Sequence, residues 1–189
     1  MNAESSLLDK IAELKNEYYS TSGKNRIFKS KQKQECATIV THEIGIEKML
    51  SGTVYIIPNT NRVFFDYTLF KLYANPSNYD AIIKRATELF DACIEKYGTF
   101  ESHMNLNTFS VSALERYKPI IITFCNTCLK NNPKYVEKLS RFYIYNKPNM
   151  IDIVIAVVRP FVNEDVFKKV IFIQKQNSEK LICELLQNL

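Results

Sequence analysis

Between residues 79 and 97 apolar positions return every three or four places: Ile82, Ile83, Ala86, Leu89, Phe90, Cys93 and Ile94 fall on one side, opposite Asp80, Lys84, Arg85, Glu88, Asp91 and Glu95. That period predicts an amphipathic helix from Tyr79 to Tyr97, with Gly98 as its C-terminal stop. Leu7, Leu8, Ile11 and Leu14 recur at helical spacing behind Ser5 and Ser6, predicting a second helix from about Ser6 to Glu17, then a loop from Ser20 to Gly23. Cys36 to Leu50 reads equally as a helix or a strand, ended by Gly52. Val54 to Ile57 and Val63 to Tyr67 read as strands, and the turn cluster Pro58, Asn59, Thr60, Asn61 joins them as a hairpin. Further on come a strand from Ser102 to Leu106 and a helix from Val111 to Leu129 with an irregularity before Pro119. A final helix from Ser178 to Leu189 carries Leu181, Ile182, Leu185 and Leu186.

The most informative pattern lies between Pro133 and Ile173. Arg141 to Tyr145 is a short β-branched and aromatic run, halted by Asn146, Lys147 and Pro148, because proline lacks an amide donor and biases its predecessor away from helix. From Met150 to Val158 the apolar residues nearly encircle a helix, interrupted only by Asp152 and Ala156, until Arg159 and Pro160 end it. Such a helix has no clean water-facing side, so it covers something apolar. Val170 to Ile173 then makes a second strand, and the unit reads as strand, crossover helix, parallel strand. Strands alternating with helices along the chain predict an α/β fold, a mostly parallel sheet of about five strands flanked by helices.

This stretch resembles the end of the CRAL-TRIO lipid-binding domain, the family of phosphatidylinositol/phosphatidylcholine transfer proteins. Tyr135-Val136-Glu137-Lys138 stands where the family often has Tyr-Pro-Glu-Arg, the strand Phe142 to Tyr145 follows, Asn146-Lys147-Pro148 stands for Asn-Ala-Pro, and Arg159-Pro160-Phe161 for Lys-Pro-Phe. The run to Lys169-Val170-Ile171-Phe172 keeps the family's spacing. Upstream, Arg62 to Phe65, Asn75 to Tyr97, Ser102 to Leu106 and Ser110 to Lys130 match in order, so the resemblance spans roughly Pro58 to Leu186. Asn105 replaces the usual Asp, Lys147 the Ala and Val136 the Pro, and the family's tail motifs are absent. The resemblance implies a domain from 51 to 189 behind an N-terminal helical and basic segment, 1 to 50, shorter than the family's usual helical domain.

The resemblance also implies where lipid would sit. Met150 to Val158 becomes a gate over an apolar cavity, with Met150, Ile151, Val154, Ile155 and Val158 on it and Phe109, Val111, Phe124, Phe142 and Ile144 as further lining. A sixteen-carbon chain needs on the order of 12 kcal/mol of compensation on leaving a bilayer, which only a continuous apolar cavity provides. In the phosphatidylinositol-transfer members the inositol-phosphate site falls on positions that are Glu137, Lys138 and Lys169 here: Lys169 for a phosphate, Glu137 to accept inositol hydroxyls, Lys138 a cation without the guanidinium fork. For each apolar residue the plain alternative is core packing, and for Glu137, Lys138 and Lys169 it is the start of a strand and the end of a helix.

The 46% hydrophobic content over 189 residues supports one continuous core, and no apolar run nears the ~20 residues of a membrane span. Met1 to Ser6 shows no basic n-region leading into an apolar stretch, which leads us to expect a cytoplasmic protein, peripherally associated with membranes. Five cysteines, at 36, 93, 125, 128 and 183, fit a reducing compartment, and Cys125-x-x-Cys128 lies in an apolar helical run without a second pair, as structural thiols do. His103, in a strand, reads as a hydrogen-bonded core or cavity residue. With no phosphate loop and no nucleophile elbow, neither an enzyme nor a cofactor nor a metal site is expected, only a bound phospholipid, phosphatidylinositol-like, as ligand. A net charge of +5 permits the basic run Lys24, Arg26, Lys29, Lys31 and Lys33 to face an anionic membrane or an acidic partner, against the alternative of a solvated face. Between the basic residues, Ile27 and Phe28 would either insert shallowly into a membrane or pin the segment to the core. A protein-interaction module on the same fold, partnered or homodimeric through the N-terminal segment, is the other reading; no nucleic-acid partner is expected.

Overall fold

The computed structural model describes residues 2–25 and 27–187. Helix α1, Asn2–Ser22, continues through the expected loop at Ser20, and it buries Leu7 and Ile11 while Leu8 lies off the stripe, exposed. The open choice between helix and strand resolves as two helices, α2 (Lys29–Ile44) and α3 (Ile46–Thr53), because Gly45, at φ 90°, takes a backbone conformation that other residues rarely adopt. Gly52 does not end a segment; it sits inside α3, where a Cβ would come 2.8 Å from Leu69 Cδ2. Its missing side chain lets α3 press against α4.

Strands β1 (Val54–Ile56) and β2 (Arg62–Asp66) form the expected hairpin, antiparallel with Val54 opposite Phe65. Tyr67 is not its last residue. Asp66 Oδ1 accepts from the Thr68 amide at 2.7 Å and starts α4, Tyr67–Tyr73, which the sequence reading missed. Helix α5, Tyr79–Tyr97, ends at Gly98 in the left-handed conformation, and β3, Phe100–Asn105, follows. Helix α6, Val111–Phe124, runs straight through Pro119, and the irregularity comes after the proline: Cys125–Lys130 forms a widened π turn. Asn132 caps α7, Pro133–Lys138, so Glu137 and Lys138 end a helix rather than begin β4, Leu139–Tyr145. Then come α8 (Ile151–Val158), α9 (Glu164–Phe167), β5 (Val170–Phe172) and α10 (Lys175–Leu186), the last starting three residues earlier than expected.

The sheet order is β1-β2-β3-β4-β5, with every pair after the hairpin parallel; Phe142, Tyr143 and Ile144 face Val170, Ile171 and Phe172. Parallel crossovers share one hand, so strands that advance in one direction place their connecting helices on the same face. Alternation along each strand then divides the residues. Val63, Phe65, Ser102, Met104, Phe142 and Ile144 face α5, α6 and α8, whereas Phe64, Tyr143 and Tyr145 face α10, packed with Ile182, Leu185 and Leu186. His103 is on the α10 side, so of its two expected settings the core is the one observed, not the cavity.

Candidate functional site

Between the first sheet face and α8 lies a cavity of about 200 Å³. Phe142 and Ile144 supply its floor from β4, Phe124 a wall from α6, Phe109 the approach to that helix, and Ile151, Val154, Ile155 and Val158 its cover. Met150 is the N-cap residue of α8 and is not among the lining, and Val111 is half exposed at the surface. From α5, Ala86 and Phe90 face the same space. One end is wedged by aromatic rings: Tyr67 meets Phe109 edge to face at 5.0 Å, and Phe70 meets Tyr117 at 4.9 Å. The Tyr117 hydroxyl donates to the Lys71 carbonyl, so even this phenol shows the cavity mainly its ring. A void so lined is dry, and it favours apolar occupants.

Helix α8 is tied down beyond both of its ends. Before it, Asn146 adopts φ 53°, its amide donates to Ser178 Oγ at 2.7 Å, and its side chain donates to Asn105 Oδ1 at 2.9 Å; the Lys147 amide bonds to the Ile173 carbonyl. After it, Lys130 Nζ donates to the Pro160 carbonyl and the Asn163 amide to the Leu129 carbonyl at 2.8 Å, both from the π turn. Between these ties Ile153 is 51% exposed, an isoleucine on the outer side of an eight-residue helix.

Glu137, Lys138 and Lys169 come together at the end of α7. Lys169 Nζ donates to the Val136 carbonyl at 2.7 Å and to the Glu137 carbonyl at 3.3 Å, meeting carbonyls at the negative end of that helix. An ammonium has three donors, so a third remains for an anion's oxygen. The Glu137 carboxylate points to solvent and pairs with Lys138 at 3.0 Å. One residue after Lys169, Val170 lines the apolar cavity, so a polar group held here would sit at the cavity's rim.

The family model of the CRAL/TRIO domain matches residues 76–188, which carry α5 to α10 and all of the elements just described except the hairpin and α1 to α4. The chain belongs to the CRAL/TRIO domain family. Among solved structures, the crystal structure of Sfh5 matches with a TM-score of 0.49 at 15% identity, over 87% of this chain and 65% of that one. The chain thus spans less than two thirds of that protein's length. No curated protein matches. Membership in the CRAL/TRIO family supports lipid binding at a coarse level.

Outside the matched segment, the basic run does not form one patch. Lys24, Lys29 and Lys33 line a cleft against α4 and α6, Lys31 is exposed away from it, and Arg26 lies outside the described residues. Ile27 and Phe28 are 84% and 63% exposed, so they do not pin the segment to the core. Cys125 and Cys128 are buried in the π turn, where desolvation pushes both thiols up to about 12. His103 Nδ1 lies 3.0 Å from the Tyr145 hydroxyl and Nε2 3.3 Å from Glu101, and burial holds its pKa below the usual imidazole range despite that carboxylate. Among the described residues no cluster of His, Cys, Asp or Glu could hold a metal, and no helix is long and apolar enough to cross a membrane. Sequence reasoning missed the Tyr67, Phe70 and Tyr117 wedge, since reading Tyr67 as the end of a strand hid α4; the Asp66-x-Thr68 cap was the signal that could have found it.

Proposed function

We propose that the protein holds one phospholipid, phosphatidylinositol-like, with its acyl chains in the apolar cavity under α8 and its head group beside Glu137, Lys138 and Lys169. The observation that carries this reading is the nearly unbroken apolar lining beneath a short helix whose outer side also carries an exposed isoleucine, Ile153, beside Asp152. The spare donor of Lys169 would take a phosphate oxygen, and Glu137 would exchange Lys138 for inositol hydroxyls. At about 200 Å³ the cavity falls short of the ~300–1,000 Å³ usual for small-molecule sites, so loading requires α8 to give way as a gate. The ligand is carried without chemical change, and no cofactor takes part. Exposed Ile27 and Phe28, with basic neighbours, suit a transient contact with an anionic membrane during loading. The same small volume favours a second reading, a protein-interaction module that keeps no exchangeable lipid.

Native mass spectrometry of the purified protein separates the two, since a co-purified phospholipid supports the carrier and a bare chain the module. Replacing Glu137 and Lys169 by Ala then tests the head-group assignment. Transfer of phosphatidylinositol between vesicles should fall much more than transfer of phosphatidylcholine, and equal losses with folding intact would refute it.

A further inference from the structure

On the far side of the aromatic wedge, α1, α2, α4 and the start of α6 enclose a second cleft of about 500 Å³. Its chemistry is the opposite of the first. Lys15, Lys24, Lys29, Lys33, Lys71 and Arg116 all line it, and none of its lining residues is acidic. Among the described residues, none of these six is in an ion pair. They come from four helices and the loop between α1 and α2, so no single run of sequence shows the cluster.

Two of the cations are held by neutral partners. Lys71 Nζ donates to Thr108 Oγ1 at 2.6 Å, and Arg116 Nε donates to Ser30 Oγ at 3.3 Å while the guanidinium lies over the Tyr117 ring. Neither contact neutralises charge. Ser110 caps α6 at the cleft wall, and Ser112 adds a second hydroxyl, so the positive end of a fourteen-residue helix is directed to the same space. The repulsion is felt by the groups themselves: burial first, and then Arg116, Lys15, Lys71 and Lys29, hold the Lys33 ammonium below its ordinary range. Lys71 is lowered too, by burial and then Lys15, with Asp66 offsetting part.

Cations gathered in a concave, partly desolvated space whose lining holds no carboxylate select a multivalent anion. A carboxylate would neutralise one of them, whereas phosphates offer several oxygens each to the guanidinium fork and to lysine point charges. A cleft of this size takes a compact molecule. We propose that it binds a compact anion bearing two or more phosphates, either free or as the head group of a membrane lipid.

The test uses the full chain and two soluble probes, inositol hexakisphosphate and pyrophosphate, by titration calorimetry at about 0.15 M salt. Parallel sedimentation uses vesicles containing phosphatidylinositol bisphosphate or a charge-matched amount of phosphatidylserine. Inositol hexakisphosphate should bind, weakening steeply with salt. Lys33→Gln, and separately Lys71→Gln with Arg116→Gln, should each lower affinity about tenfold or more through lost charge-assisted hydrogen bonds, whereas Lys48→Gln, exposed on α3, should not. Preference for bisphosphate vesicles, competed by the soluble anion, assigns a lipid head group; binding of the soluble anion without that preference assigns a free one. Absence of binding by both soluble probes overturns the proposal, as does a loss at Lys48→Gln equal to that at Lys33→Gln. Melting curves of each variant show that the fold is intact, and Lys33, a surface residue of α2, keeps the test valid if the Lys71 and Arg116 pair unfolds.

Discussion

Replacing Ala86 by Leu should strengthen the protein and weaken its hold on lipid at once. Ala86 reaches the cavity from α5 and is 7% exposed, so added carbons enter the void rather than solvent. The void has room for them: about 200 Å³ exceeds the ~150 Å³ apolar cavity that accepts a benzene. Three further carbons, at about 0.8 kcal/mol per buried methylene, contribute up to about 2 kcal/mol. Repacking against Phe90 and the α8 side chains costs about 1 kcal/mol, leaving a net gain of about 1 kcal/mol. For a domain of this size that raises Tm by about 2–4 °C. An acyl chain must then displace the same carbons, at about tenfold in affinity for each ~1.4 kcal/mol. Thermal melts of delipidated wild type and variant, with uptake of a fluorescent phospholipid from vesicles, read the two effects. A lower Tm would show that the space is not available in the empty protein. A raised Tm with unchanged uptake would show that lipid does not use this cavity.

Two further outcomes follow from burial. His103 is kept neutral in the fold, mainly by desolvation, while in the unfolded chain it takes its proton near the ordinary 6.5; the unfolded state therefore binds more protons below that value, and stability should fall as pH drops from 7 to 5. Urea midpoints for His103→Asn should show a flatter slope over that range, and an unchanged slope would put the acid sensitivity elsewhere. Exposed Cys183 should react with a thiol reagent in the native protein far ahead of Cys93, Cys125 and Cys128, whose thiols burial raises to about 11 or 12; rapid reaction of the Cys125-x-x-Cys128 pair would contradict its structural assignment.

The sheet and the run from Phe142 through α8 were legible because they depend on short-range signals: alternation in Phe142 to Tyr145, a proline after Asn146, and apolar residues nearly all around α8. Two of the boundaries that escaped were set by partners distant in sequence, and a third by a local cap. Gly52 carries the local mark of a stop, yet Leu69 on another helix explains it. Tyr67 suits a strand by propensity, but Asp66 turns the chain into α4. Pro119 predicts an irregularity before it, and the widened turn instead forms after it, where Leu129 meets Asn163. Among the candidate site residues, eight of the ten named for the cavity line it, all but Met150 and Val111, because an apolar face specifies its own burial. The basic run was visible as charge, but Lys15, Lys71 and Arg116 join it only through the packing of α1, α4 and α6.

The ties at the two ends of α8 make it a handle rather than a door. With Lys147 bonded to Ile173 on one side and Asn163 to Leu129 on the other, the free span is roughly the helix and the few residues flanking it. Eight residues make about 12 Å of helix, so a swing about one end would have to tear out the opposite mooring. Rolling about its own long axis breaks neither. Because Ile153 is already outside and Val154 and Ile155 inside, a small roll that leaves exposed Asp152 in solvent exchanges one aliphatic residue for another and presents grease to whatever lies against the protein. In water that exchange gains nothing; against a bilayer it costs almost nothing. On the proposed carrier reading, the threshold for uncovering the cavity would then be set by the medium outside, and a handle of this composition would stay shut in transit and turn only at a membrane.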